Sequence, residues 1–164
     1  MEKSEKRSAT GRREQVDAVL RAADVLLHLA AQSVVEVEDR VSLPQLRVLV
    51  LVALHGPQNL GAVARELGVH ASNATRTCDR LVVAGLLSRR EDPSDRRFLQ
   101  LDLTPEGRDL VETMIEHRRQ SIAEVIEKIP ADSRGSVASA MGAFADAGGG
   151  LGSDDGRFTL GLGR

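Results

Sequence analysis

Tryptophan and tyrosine are absent from this 164-residue sequence, and phenylalanine occurs three times. Single-stranded nucleic acid is held largely by stacking bases on aromatic faces, so this composition argues against that mode of binding. A single cysteine rules out an intrachain disulfide and fits a reducing, cytoplasmic setting. The polar N-terminus MEKSEKRSATGRREQ leads into no uninterrupted apolar stretch, so neither a signal peptide nor a membrane span is expected. With a formal net charge of −2 the chain has no general attraction for polyanions, and any basic surface must be local. His28, His55, His70 and His117 stand at no ligand spacing with a second His or Cys, which leaves no metal site to argue for. No glycine loop suited to phosphates and no nucleophile elbow occurs. No cofactor and no catalysis are therefore expected.

What the chain does have is concentrated between Asn59 and Leu103. Asn59 suits the N-cap of a short helix with Leu60, Val63, Ala64 and Leu67 on one face, ended by Gly68. After Val69 a second helix runs from about Ala71 to Ala84 and closes at Gly85. Leu86 to Arg90 and Phe98 to Leu103 read as strands, the latter with Leu99, Leu101 and Leu103 on one side and Phe98, Gln100 and Asp102 on the other. The segment EDPSDRR between them is a turn by composition. Helix-turn-helix followed by a β-hairpin is the layout of a winged DNA-binding module.

At 100° per residue, Ala74, Thr77, Cys78 and Leu81 of the second helix face inward, while Ser72, Arg76, Asp79 and Arg80 face out with Asn73 at the flank. A helix entering the major groove needs small or donor-bearing residues near its start and a bidentate donor for guanine further on. Ser72, Asn73, Thr75, Arg76 and Arg80 are the candidates. Every amphipathic helix has a solvated face, so the helix alone does not decide; the hairpin beside it does. Between Arg76 and Arg97 there are six arginines against four acids, a modest local excess.

The run Asp92-Pro-Ser-Asp95-Arg96-Arg97, followed by alternating residues and Leu103-Thr104-Pro-Glu-Gly107-Arg108, resembles the wing and exit of the MarR family of bacterial transcription regulators. ELGVHASNATRTCDRLVVAGLL is similar to the recognition-helix segment of that family, and Ser42-Leu-Pro-Gln-Leu-Arg-Val-Leu to the start of its second helix. The resemblance covers roughly Ser42 to Arg108 in the right order, with the flanking helices matching by pattern only. It implies a homodimer on double-stranded DNA, often a repressor released by a small molecule or oxidant. Matching the Asp-x-Arg wing pattern assigns Asp95 and Arg97 to it, Arg97 entering the minor groove and Asp95 holding its guanidinium extended. Arg96 points the other way. The family's effector cleft would be lined here by the first, second and fifth helices, with His28, Gln32 or Arg47 as polar anchors. Relatives that sense oxidants do so through a cysteine in the first helix, which this chain lacks, so Cys78 is expected to be a buried structural thiol.

The remaining segments read as support. Residues 1–11 are expected to form a disordered, mixed-charge arm, 12–37 and 104–147 to supply dimerisation helices, the winged helix-turn-helix to occupy about 42–103, and 148–164 to be a glycine-rich disordered tail. Val16, Val19, Leu20, Ala23, Leu26, Leu27, Ala30 and Val34 make a stripe too long for one small domain to cover. Ser42 and Gln45 are spaced for a capping box, and Val48 to Leu54, apolar throughout, predicts a helix buried on several sides. Thr104-Pro105-Glu106 opens a long helix that Pro130 stops. Asp132 or Ser133 is expected to cap a last helix with Val137, Ala140, Met141 and Phe144 inward. The fold class is thus mainly α with a small β-hairpin, a winged helix-turn-helix lobe on a helical dimerisation lobe. The alternative function is a winged-helix module for protein–protein contact without DNA binding.

Overall fold

The computed structural model describes residues 2–91 and 99–148. In chain order these form α1 (Glu2–Val35), α2 (Leu43–His55), β1 (Gln58–Asn59), α3 (Leu60–Leu67), α4 (Ala71–Val83), β2 (Leu87–Glu91), β3 (Leu99–Leu103), α5 (Pro105–Glu127) and α6 (Ala131–Gly148). The class is the expected one. At the N-terminus the reading changes: α1 begins at Glu2, so it takes in residues assigned by composition to an arm. Glu, Lys, Arg and Ala are strong helix formers, so this composition is compatible with a helix. The helix ends at Val35, and Val37 is buried in the turns that follow.

Local chemistry explains the element boundaries. Gln45 Oε1 accepts from both the backbone N–H and the hydroxyl of Ser42, each at 2.8 Å, with Pro44 in the first turn of α2. Asn59 Oδ1 accepts from the Ala62 N–H at 2.8 Å, and Gly68, at φ 65°, closes α3 in the left-handed region. Thr104 caps α5 by accepting from the Gly107 N–H at 3.1 Å, and its hydroxyl donates to the Gly85 carbonyl at 2.6 Å. The last helix starts at Ala131, directly after Pro130, so Asp132 and Ser133 lie in its first turn rather than at its cap. Arg134 reaches back from that turn, donating from Nε to the Ile129 carbonyl at 2.9 Å and from Nη2 to that of Glu127 at 2.7 Å. Carbonyls left over at the end of α5 are thereby satisfied.

The hairpin gains a third strand. β2 and β3 pair antiparallel with Leu87 opposite Leu103 and Arg89 opposite Leu101, and β1 pairs with the other edge of β3, giving the order β1-β3-β2. Leu101 and Leu103 are buried as their alternation requires, while Leu99, nearest the turn, is exposed. Asp102, on the side of β3 opposite Leu101 and Leu103, is also nearly buried, at 8% exposed. Helix α2 runs through the centre, where Leu46, Val48 and Leu49 are fully buried among Val63 of α3, Ala74 and Leu81 of α4, and Leu110 of α5. Its end is less enclosed, for Leu54 is exposed.

Outside this core the helical lobe is thin. Helix α1 meets α5 around Ser33, whose Oγ donates to the Ala30 carbonyl at 2.7 Å and accepts from Arg118 Nε and Nη2 at 3.2 Å each. Burial lowers the pKa of the Arg118 guanidinium. Upstream, Val16, Val19, Leu20, Leu26 and Leu27 are 39–55% exposed. On α6, Val137, Ala140, Met141 and Phe144 are exposed rather than inward, because no described element of this chain covers them. The inward orientation expected for these four residues is therefore not met among the described residues.

The stretch Gly11–Val35 reaches a mean hydropathy of 1.4 and is long and apolar enough to cross a membrane, contrary to the expectation from its interruptions. Those interruptions still matter. Arg21 and Asp24 lie within it, and each would cost roughly 2.5–3.5 kcal/mol at a bilayer centre. An apolar stripe with charges between is better matched to a protein surface. The tail from residue 149 lies outside the described residues.

Candidate nucleic-acid interface

Helix α4 has two sharply different faces. Ala74, Cys78 and Leu81 are fully buried against α2 and α3, which fixes the rotation of the helix about its axis. That rotation leaves Ser72, Asn73, Arg76 and Arg80 exposed and Thr75 half-buried. The Thr75 hydroxyl donates to the Ala71 carbonyl at 2.8 Å, so it is turned along the helix rather than out from it. His70 occupies the N-cap position without a side-chain cap, and no acid lies in the first turn. The first turn therefore presents backbone N–H groups and small polar side chains with no nearby negative charge, a surface suited to an anionic backbone. Among the described residues neither Arg76 nor Arg80 is held in an ion pair.

Asp79 breaks with the outward set. It forms an ion pair with Arg89 of β2, joining the helix to the hairpin. Cys78 sits beside this pair in the core. Burial pushes its thiol up to about 11, with Arg89 lowering and Asp79 raising it to smaller extents. Cys78 is thus buried and unpaired, as a small hydrophobe would be.

The next residue along β2 points the other way. Arg90 Nη1 lies 3.4 Å from Asp102 Oδ2, and Arg108 Nη2, from the first turns of α5, lies 3.4 Å from Asp102 Oδ1. Arg108 Nη2 also donates to the Leu103 carbonyl at 3.3 Å. Neither this cluster nor the pairing of Asp79 with Arg89 was anticipated from the sequence. Strand alternation could have placed Arg89 and Arg90 on opposite faces, but not named their partners.

The wing-tip residues Asp95, Arg96 and Arg97 lie outside the described residues. Of the three anchors expected for an effector, His28 and Gln32 are exposed on α1. Arg47 is half-buried on α2 and turned toward α3, donating from Nη2 to the Glu66 carbonyl at 3.4 Å. Its Nε is buried without a hydrogen-bond partner.

A family model described as the MarR family matches residues 41–98. Among curated proteins, the uncharacterized HTH-type transcriptional regulator YfiV of Bacillus subtilis is 27% identical over 97 residues, covering 59% of this chain and 61% of that protein. The HTH-type transcriptional repressor MdtR of the same bacterium is 32% identical over 82 residues, covering 50% and 53%. The chain therefore spans about half to three fifths of the length of these curated relatives. Among solved structures, RV1404 from Mycobacterium tuberculosis is 41% identical, with 82% of this chain and 91% of that chain covered and a TM-score of 0.67. The transcriptional regulator Tm0710 from Thermotoga maritima, at 23% identity, covers 86% and 99% with a TM-score of 0.72, a likeness of fold.

Proposed function

This chain belongs to the MarR family, and from that premise we propose that it is a dimeric, sequence-specific double-stranded DNA-binding regulator, acting in the cytoplasm as a ligand-responsive repressor. Its curated relatives are named as transcriptional regulators, some of them repressors, and not as enzymes. The observation that carries the DNA reading is the outer face of α4. Exposed Ser72, Asn73, Arg76 and Arg80 line it, on a helix whose other side is locked into the core.

In this reading α4 lies in the major groove. Ser72 and Asn73 approach phosphates and base edges, and Arg76 donates to a guanine. Arg97, with Asp95 beside it, serves the adjacent minor groove, and Arg96 the flanking backbone. Dimerisation through α1, α5 and α6 is supported by their exposed apolar faces. A two-fold axis would set two α4 helices about 34 Å apart on an inverted repeat. For the effector, Arg47 is the best-supported anchor, because its buried Nε lacks a partner that an anionic ligand oxygen would supply.

A genomic selection for bound duplex fragments, followed by a salt titration on the selected site, tests the proposal. The expected result is an inverted repeat bound with a steep inverse dependence on salt. Absence of salt-dependent binding to any duplex would leave the protein–protein module as the function. For the effector, carboxylate compounds should raise the melting temperature and release the DNA.

A further inference from the structure

Resting on the DNA-binding reading above, we propose that Asp102 is a positioning residue for the wing, setting the angle at which the β2–β3 hairpin leaves the protein body. Three elements meet at its carboxylate. It sits on β3, receives Arg90 from β2 on one oxygen and Arg108 from α5 on the other, each at 3.4 Å. Arg108 is held in turn by the Leu103 carbonyl. The hairpin base is anchored elsewhere through backbone: Thr104 N–H donates to the Leu86 carbonyl at 3.2 Å, and the Thr104 hydroxyl to Gly85. Those bonds hold the exit of the hairpin, while β1 pairs with the far edge of β3 and the Asp79–Arg89 ion pair ties β2 to α4. The Asp102 pairs brace the hairpin against α5.

The magnitudes favour geometry over stability. Asp102 is nearly buried, but the Arg90 and Arg108 side chains are 66% and 53% exposed, so solvent screens most of the attraction. A carboxylate in a low-dielectric site costs desolvation that such pairs roughly cancel. An apolar residue following Leu101 would hold the sheet as well. What it would not do is fix two guanidinium groups on separate elements at one point. Helix α5 continues to Arg118, which bonds Ser33 of α1. Asp102 thus joins the hairpin to the helix that reaches the dimerisation lobe.

The test uses the full chain, with Asp102→Asn, which keeps the shape and removes the charge, and Asp102→Glu as the conservative variant. Wild type is first titrated with salt on its selected duplex; if it binds none, the DNA-binding reading has failed and not this one. Given wild-type binding, Asp102→Asn should bind roughly 5-fold or more weakly. Hydroxyl-radical protection of the minor groove beside each half-site should be lost, with base discrimination by α4 unchanged, and Asp102→Glu should restore protection. A folded Asp102→Asn dimer with wild-type affinity and full minor-groove protection overturns the proposal, whatever its melting temperature. Should Asp102→Asn not fold, Arg108→Gln, which removes one brace, carries the same two outcomes.

Discussion

A Cβ atom on Gly107 would lie 2.1 Å from the Leu86 carbonyl oxygen and 3.2 Å from Leu103 Cδ2. Helix α5 therefore passes the hairpin at a distance that only hydrogen permits. Because the atom met is backbone, no side-chain movement relieves the clash. Gly107→Ala should cost roughly 3 kcal/mol or more, read as a lower urea midpoint at unchanged m-value. At Gly11, inside α1, an added Cβ meets nothing. Gly11→Ala should raise stability by about 0.5–1 kcal/mol.

Cys78 ties stability to alkaline pH. Its thiol is raised from 9.0 to about 11 by burial, so the neutral form is favoured in the folded state. Stability from this source is complete below the unfolded value near 9 and falls as pH rises from there through 11, by up to about 2 kcal/mol. Denaturant midpoints measured from pH 8 to 11 should decline more steeply in wild type than in Cys78→Ala. Native-state alkylation should be slow, and mild peroxide should leave DNA binding intact.

Arg76 and Arg97 should fail in different ways. Arg76→Ala is expected to lose discrimination at one base pair, on the order of 1–3 kcal/mol, in a panel of single-substitution duplexes. Arg97→Ala should weaken binding to all duplexes alike and reduce the slope of log affinity against log salt by roughly one. Identical base preferences in Arg76→Ala and wild type would remove α4 from the proposed readout.

Phe144, 58% exposed on α6, offers the clearest test of assembly. Sedimentation at micromolar concentration should give a dimer for wild type. A charge at the centre of an apolar interface should convert Phe144→Glu to monomer, with duplex affinity falling as the second half-site is lost. A wild-type monomer would sink the dimer.

Sequence reasoning reached the parts governed by neighbours in the chain. The bonds of Asn59 to Ala62, of Ser42 to Gln45 and of Thr104 to Gly107 span a few residues each and appear as motifs. So do the left-handed positions of Gly68 and Gly85. Of the inward set Ala74, Thr77, Cys78 and Leu81, helical period alone places three in the core, while Thr77 is only half-buried. What was not legible depends on distant partners. The burial of Asp102 was not legible because nothing local announces Arg108 or Arg90. The two-residue β1 is too short to carry a pattern. For Phe144, periodicity named a face but not its cover. Helix α1 begins at Glu2, within the expected arm, a start that composition alone does not mark.

The Arg134 bonds to the Glu127 and Ile129 carbonyls carry a consequence for assembly. They span the break at Pro130 and tie the first turn of α6 to the end of α5 within the protomer. In the proposed dimer each subunit would then bring a preset elbow to its partner, and less chain entropy would be lost on pairing. Removing the guanidinium would make the elbow a joint. The separation of the two α4 helices would then become a distribution, and duplexes with one base pair inserted or deleted between half-sites would compete more evenly with the correct spacing.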